Sequence, residues 1–571
     1  MLSHENFLST LEQLLAFRKE HLTDVKLHRK VPNIDMEGKL DETLWQKLKE
    51  IGVEDIFGTI ELLGNMLHMM SAFIGEDIAD SHYVERRYQS QKFKEQVKRL
   101  KLEDFIFLEA VGHHNLSGIV KGFQVKKRKD CLITGLNLIF FDVETRKVLF
   151  RPGMGCTVTF KKRDRKKLRR GPDMSRFSPT YRECKKGDLL IGGEDIAGPD
   201  LNGLDAAIRG VFENLGDTQR GTKAVLVVHK DQIIREVYNN EETASVYNPP
   251  AIRDDVHANT PLLGWSMTKS VTNAMLGAMI QKGMFGDYDA FYTSTKKSGL
   301  SDGEVMKQFL INLKIRDYIP ELSNPTTRGW RDINMNDLLH MASGLVWAED
   351  DLPYDVFQMI YRERDMVRYA ATKGVQDPPS DKWYYSSGTA NIVSGVMQAC
   401  FQQQGLSLEA YWSFPHEQLF EPTGMCNATF QADIEGTLVG SSYCIATARD
   451  WARFGLLFLH DGVIQKTKER ILPKGWVAYT ATKGESDTGQ DISGGIYGGH
   501  FWLNQAKEKD LNDNNRNTGY LGVPDDMFYP RGLFGQRVFI IPSMDLVVVR
   551  MGARDKIGLK KFINGVVTAF K

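Results

Sequence analysis

The chain has 571 residues, 42% hydrophobic and 26% charged, and its 73 Lys and Arg balance 73 Asp and Glu. That composition excludes a disordered or fibrous chain and requires more than one core. Zero net charge excludes a chain-wide electrostatic hold on nucleic acid or an anionic membrane.

Residues 1 to about 110 carry periodic Leu, Ile and Met with charged faces and few Pro, which predicts helices. The first places Leu8, Leu11, Leu14 and Leu15 on one face. Its early acidic residues and interrupted apolar run do not suit a signal peptide. The most apolar stretch, Ile56 to Ile74, contains Glu61, Asn65 and His68. A spanning helix needs about 20 predominantly apolar residues, so this one is expected to be buried or surface-lying. No transmembrane segment is expected, and the simplest localisation is cytoplasmic. From about 115 to 160, LITGLNLIFFDV and VLFRPGMGCTVTF are β-branched and aromatic, predicting strands.

A basic run follows, Lys161 to Arg170, then Gly171-Pro172 and a polar stretch to about Lys186. It reads as the principal linker. The division is therefore an accessory region over 1–186 and a second unit over 187–571. Charge divides the same way: the segment from about Lys101 to Thr180 is basic, which leaves the remainder mildly acidic.

In the second unit, KAVLVVHKDQIIREVY is a hairpin candidate turning at Lys230-Asp231. QRVFIIPSMDLVVVRMG repeats the pattern around Pro542-Ser543, and a helix from about Lys556 to Phe570 ends the chain. The intervening sequence is mainly helical. Strands at both ends of a unit with helices between them imply an antiparallel sheet closed by non-local pairing, an α+β class. The polar segment FGDYDAFYTSTKKSGLSDGE reads as a surface excursion.

Neither metal nor cofactor is implied. The six cysteines form no CxxC and no Cys/His cluster, and read as buried small hydrophobes rather than a disulfide framework. His113-His114 lacks a third ligand. Gly192-Gly193 and Gly153-Met154-Gly155 lack the Lys-Ser/Thr of a phosphate loop and read as turns. The basic runs Lys126–Lys129 and Lys161–Arg170 lack interleaved aromatics, so they read as solvated loops without a nucleic-acid partner.

Chemistry concentrates in GWSMTKSVTNAMLGAMIQKG, Gly264 to Gly283. Ser266 and Lys269 are three apart, and on a helix both project from one face. A hydroxyl attacks poorly unless a base takes its proton, and an uncharged Lys can be that base. Val271, Ala274, Met275, Ala278 and Met279 supply an apolar face that would bury the pair. The bland reading is an N-capping Ser266 with an exposed Lys269. Ser294 to Lys297 has the same spacing but lies in the polar excursion. Two further segments join the first: WYYSSGTANIVSGVM, with Tyr385-Ser386-Ser387 before a helical run, and RGLFGQRVFIIP, with Gly535-Gln536 on a strand.

Together these segments resemble the serine β-lactamase and penicillin-binding-protein-like hydrolases, especially the class C branch with its esterases and amide-oligomer hydrolases. MNDLLHMASGLVW (Met335 to Trp347) and the stretch from Met425 to Gly462 agree in the same order, and the likeness runs from about Asp188 to Lys571. The resemblance implies a β-lactamase/transpeptidase-like fold: an antiparallel sheet flanked by helices, with an all-helical subdomain, preceded by a mostly helical accessory region. It implies Ser266 as acylated nucleophile, Lys269 as the group that holds its proton, and Tyr385 as general acid or base. Ser387 would hydrogen-bond Lys269 or substrate. Gly535 and Gln536 would bind substrate, with the backbone N–H groups of Ser266 and Gln536 as the oxyanion hole. RPGMGCTVTF is similar to a segment upstream of the catalytic domain in some bacterial members, which implies a piece packed on that domain.

The third motif departs from the family. Leu533-Phe534-Gly535 stands where Lys-Thr-Gly or His-x-Gly is usual, so the basic residue is missing unless Arg531 or Arg537 replaces it. The departure points away from β-lactams and toward a small neutral ester or amide, in a pocket lined by Leu533, Phe534 and Trp347. The alternative is a binding or scaffold protein on a retired hydrolase fold.

Overall fold

The computed structural model describes residues 198–213, 222–239, 256–319, 332–349, 355–488, 496–506, 508–511, 518–552 and 558–571, together with five strands nearer the N-terminus. Four of those strands, β1 (Phe123–Lys127), β2 (Ile133–Leu138), β3 (Arg146–Arg151) and β4 (Gly155–Thr159), form an antiparallel meander. The last three fall where β-branched and aromatic runs predicted strands, whereas β1 takes in Lys126 and Lys127, which the sequence read as part of a solvated loop. The helices expected before residue 110, His113-His114 and the Lys161–Arg170 run lie outside the described residues.

The main sheet is built from β5 (Ile191–Gly192), β6 (Thr222–His229), β7 (Gln232–Tyr238), β8 (Trp502–Leu503), β9 (Phe528–Tyr529), β10 (Arg531–Gly532), β11 (Gln536–Ile541) and β12 (Leu546–Gly552). Its order is β8-β9-β11-β12-β6-β7-β5, with β10 paired to β11. All pairings are antiparallel except β5 with β7. Gly192, read from sequence as part of a turn, therefore sits in a short parallel edge strand. The β6–β7 turn is tight because Lys230 and Asp231 both take positive φ, 51° and 63°, the two-residue geometry whose twist suits a hairpin. Non-local closure is made by β12 on β6, with Val547 opposite Val228 and Val549 opposite Leu226.

Both faces of the sheet are covered, which is why its central strands read as unbroken apolar runs rather than alternating ones. Ala224, Leu226 and Val228 face a core shared with α2 (Thr268–Gln281) and α6 (Ala448–Leu459). Val225 and Val227 face the other core, filled by α1 (Leu201–Glu213) and α7 (Leu559–Ala569).

The helical subdomain between the hairpins includes α3 (Tyr288–Thr295), α4 (Asp302–Asn312) and α5 (Ser387–Gln403). The first of these and the start of the second show that the expected surface excursion is helical while it stays largely on the surface. Asp287 caps α3 by accepting from Ala290 N, and Ser301 with Glu304 forms a capping box at α4. The polar residues there were caps, not loop filler. A second correction concerns the cysteines: Cys400 and Cys444 are free and buried, but Cys426 is disulfide-bonded. No described helix is long and apolar enough to cross a membrane.

Candidate functional site

Ser266 lies in a 3₁₀ turn, Trp265–Met267, that feeds directly into α2. A small sheet holds the turn: Leu262–Leu263 pairs with Cys444–Ala446, and Gly264 N donates to Cys444 O at 2.9 Å. Thr268 locks it further, its hydroxyl donating to Trp265 O and accepting from Cys444 N. Trp265 carries a φ of 49°, a left-handed conformation that costs on the order of 1–3 kcal/mol and persists only where the surroundings impose it.

α2 is buried around its whole circumference, not on one face as its apolar residues suggested. The polar side is satisfied by loops. Thr272 donates to Gly440 O, and Asn273 bonds Gly499 O, Thr480 Oγ1 and the Trp476 indole. Lys269, on this helix, is 1% exposed.

The capping reading of Ser266 does not hold, since its side chain makes no cap bond and receives the Lys269 amine instead. Lys269 Nζ lies 3.1 Å from Ser266 Oγ, 3.0 Å from Ser387 Oγ and 3.1 Å from the Ser441 carbonyl. It also lies over the ring of Tyr385, 4.8 Å from the centroid. Ser387 begins α5, whose N-cap is Ser386, accepting from Thr389 N at 3.0 Å. The structure thus brings Ser266, Lys269, Tyr385 and Ser387 together. Ser294 and Lys297 are exposed, and Ser294 Oγ is turned back to Phe291 O.

Tyr385 forms one wall of an aromatic cluster with Trp383, Tyr497 and Trp502, its ring 5.6 Å from that of Trp502. Arg531 stacks on Trp502 at 4.8 Å. Arg537 is buried, bonded to the carbonyls of Gly532 and Gln536. Of the two arginines weighed as substitutes for the missing base, only Arg531 stands at the aromatic wall.

The third motif forms the turn Leu533–Gly535, where Phe534 and Gly535 take φ of 62° and 78°. Gly535 closes this turn and β11 starts at Gln536, one residue later than the sequence suggested. Phe534 meets Trp265 edge-on at 6.0 Å, so the third motif abuts the Ser266 turn. The Gln536 amide ties β11 to β12 through Gly552 N and O. Leu533 is 39% exposed where a base is usual. Trp347, expected to line the pocket, is buried, with its indole N–H on Glu349.

Two residues of this site were not singled out from sequence. Arg550, fully buried in β12, donates Nη1 to the carbonyls of Phe534 and Gly535 and Nε to Thr222. It holds the third-motif turn from beneath. A charge inside LVVVRMG was a visible signal, because a buried cation must be compensated. Glu349, also buried, accepts from Trp347 Nε1 at 2.6 Å, Ser387 N at 2.8 Å and Ser387 Oγ at 2.5 Å. Nothing in WAEDD marks the first acidic residue over its neighbours. Among the described residues, no three His, Cys, Asp or Glu side chains form a group able to hold a metal.

This arrangement supplies a hydroxyl beside a buried amine at a helix start, with the Tyr385 ring against the amine and Phe534 against Trp265 of the Ser266 turn. The sequence model of the β-lactamase family matches residues 208–560, and the chain belongs to that family. Among similar solved structures is EstCE1, a hydrolase with promiscuous acyltransferase activity: 13% identical, covering 65% of this chain and 98% of its own, TM-score 0.45. A penicillin-binding protein homolog from Caulobacter crescentus is 13% identical over 66% of this chain and 99% of its own, TM-score 0.44. A β-lactamase from Mycobacterium bovis is 14% identical over 63% and 98%, TM-score 0.39. At such identities the likeness concerns the fold alone. No curated protein matches.

Proposed function

We propose that the chain is a serine hydrolase that cleaves a small ester, amide or peptide-like bond through an acyl-enzyme, its catalytic unit spanning about 187–571. The observation that carries this reading is the 3.1 Å contact between Lys269 Nζ and Ser266 Oγ, made by an amine 1% exposed. In the reaction Ser266 Oγ attacks the substrate carbonyl while its proton passes to Lys269. The N–H groups of Ser266 and Gln536 receive the developing oxyanion, a term worth about 2.7–4 kcal/mol per donor. Tyr385 relays the proton to the departing alkoxide or amine. Water then attacks the acyl-Ser266 carbonyl; its proton passes through the Tyr385–Lys269 pair to Ser266 Oγ as the acyl–Oγ bond breaks, which releases the acid and restores the serine.

Leu533, Phe534 and the Tyr385 cluster favour a neutral substrate with an apolar group on the acyl or leaving side. The competing reading, a retired fold that only binds, is favoured by the absence of a base at Leu533 and disfavoured by the Ser266–Lys269 contact. A p-nitrophenyl ester series separates the two. The hydrolase reading expects turnover of short neutral esters by the wild type and none by Ser266→Ala. Turnover that survives in Ser266→Ala defeats it, and no turnover in either protein across esters and amides favours the scaffold.

A further inference from the structure

We propose that Asn391 is a positioning residue that holds the Ser441 carbonyl against Lys269. α5 then places the lysine twice, directly through Ser387 and indirectly through the loop 439–442. This rests on the Ser266–Lys269 reading of the site. Ser387, Asn391 and Ser394 follow one another four and three residues apart, on one face of α5, and all are buried. Ser387 Oγ meets Lys269 Nζ itself. One turn on, Asn391 Oδ1 accepts from Ser441 N at 3.1 Å, and the carbonyl of that same Ser441 lies 3.1 Å from Lys269 Nζ.

The side-chain amide of Asn391 can face only one way. A backbone N–H donates and a thioether sulfur accepts. Its oxygen therefore belongs at Ser441 N, and its NH₂ at Met359 Sδ, 3.3 Å away.

α2 grips the loop from the other side. Thr272 Oγ1 is 2.8 Å from Gly440 O, closer than to Thr268 O of its own helix at 3.1 Å. Gly440 O and Ser441 N belong to one peptide unit, whose C=O and N–H point in opposite directions. α2 holds one end of that plane and α5 the other. The next plane carries the Ser441 carbonyl at one end and, at the other, Ser442 N, which donates to Val439 O at 3.2 Å. The loop has no room to shift between the helices: a Cβ on Gly440 would lie 2.2 Å from Ser394 Oγ and 2.7 Å from Thr272 Oγ1. Releasing the first plane frees the second to turn, and the carbonyl leaves the lysine.

The experiment is a double-mutant cycle on p-nitrophenyl ester turnover, with rates normalised to sites titrated to completion by a fluorophosphonate so that unfolded protein does not count. Asn391→Leu keeps the volume against Met359 and removes the acceptor. It is expected to lower kcat about tenfold, the rate equivalent of one lost hydrogen bond, with KM within about threefold of wild type. Thr272→Val is expected to lower kcat about threefold alone and less than about 1.5-fold in the Asn391→Leu background, since the two side chains grip one peptide plane. Ser394 lies on the same face and against the same loop, but its hydroxyl bonds no group among the described residues. Ser394→Ala is therefore expected to match wild type. An Asn391→Leu kcat within about twofold of wild type overturns the proposal, as does an equal cost of Thr272→Val in both backgrounds or an equal loss in Ser394→Ala. Should Asn391→Leu fail to fold, Thr272→Val decides alone: an undiminished kcat removes the loop from the mechanism. Ser266→Ala is run alongside. Turnover surviving there brings down the Ser266 reading itself, whereas a dead Ser266→Ala with a fully active Asn391→Leu overturns only the role of Asn391.

Discussion

Gly532 and Gly264 touch backbone to backbone: a Cβ on Gly532 would stand 2.1 Å from the Gly264 carbonyl oxygen. This contact joins β10 to the turn that presents Ser266, so the spacing of the third motif from that turn is set by one close approach. Gly532→Ala must push them apart. It is expected to destabilise the protein by about 1–3 kcal/mol and to lower kcat of the folded fraction more than it raises KM. Thermal melts with active-site titration check both. A folded, fully active Gly532→Ala would show that this approach does not set the site.

Tyr385→Phe removes one oxygen and leaves the ring that packs on Tyr497 and Trp502. Stability should therefore stay close to wild type, while kcat falls by about 10²–10⁴, the range for losing a positioned proton-transfer group. Tyr384, half-buried beside it, serves as control, and Tyr384→Phe should be near neutral. Full turnover by Tyr385→Phe would remove it from the mechanism.

Leu533 is exposed in the third-motif turn, so a cation placed there is solvent-screened, and on the proposed function it would meet a substrate carboxylate. Leu533→Lys is expected to raise the ratio of kcat/KM for a carboxylated ester over its neutral counterpart about fivefold, the effect of an exposed ion pair of ~1 kcal/mol. An unchanged ratio would mean that the missing base does not govern substrate charge.

His340 is buried against Asn336, Tyr479 and Thr482, and burial pushes its imidazole down to about 4. The unfolded chain protonates near the ordinary value of 6.5 while the fold keeps the ring neutral. The stabilisation is therefore full above pH 6.5 and lost as pH falls toward about 4. The difference amounts to about 3 kcal/mol. His340→Gln should flatten the decline of Tm between those pH values. An unchanged slope would assign the acid sensitivity to other groups.

Much of this was legible from residues alone. The hairpin at Lys230-Asp231 announced itself because a two-residue turn between β-rich runs has few other solutions. Ser266, Lys269, Tyr385 and Ser387 stood out as motifs, and the fold brings them together. What escaped was tertiary in origin. Glu349 acquires its place only when it is brought against Ser387 at the start of α5, a relation that no sequence spacing encodes. The sequence showed only the apolar face of α2, whereas its polar residues are met by distant carbonyls such as Gly440 and Gly499. The Asp287 and Ser301 caps were readable and were outweighed by the Gly/Ser content around them. Cys426, taken as a small hydrophobe, is disulfide-bonded, a pairing that spacing cannot foretell.

The central claim, that Ser266 forms a covalent intermediate with the help of Lys269, is tested most directly by locating the adduct. The protein is treated with a fluorophosphonate, digested, and its peptides are read by tandem mass spectrometry. The account predicts one modified residue, Ser266, with labelling abolished in Ser266→Ala and slowed at least 100-fold in Lys269→Ala. An adduct on any other residue, or labelling that persists in Ser266→Ala, would contradict it.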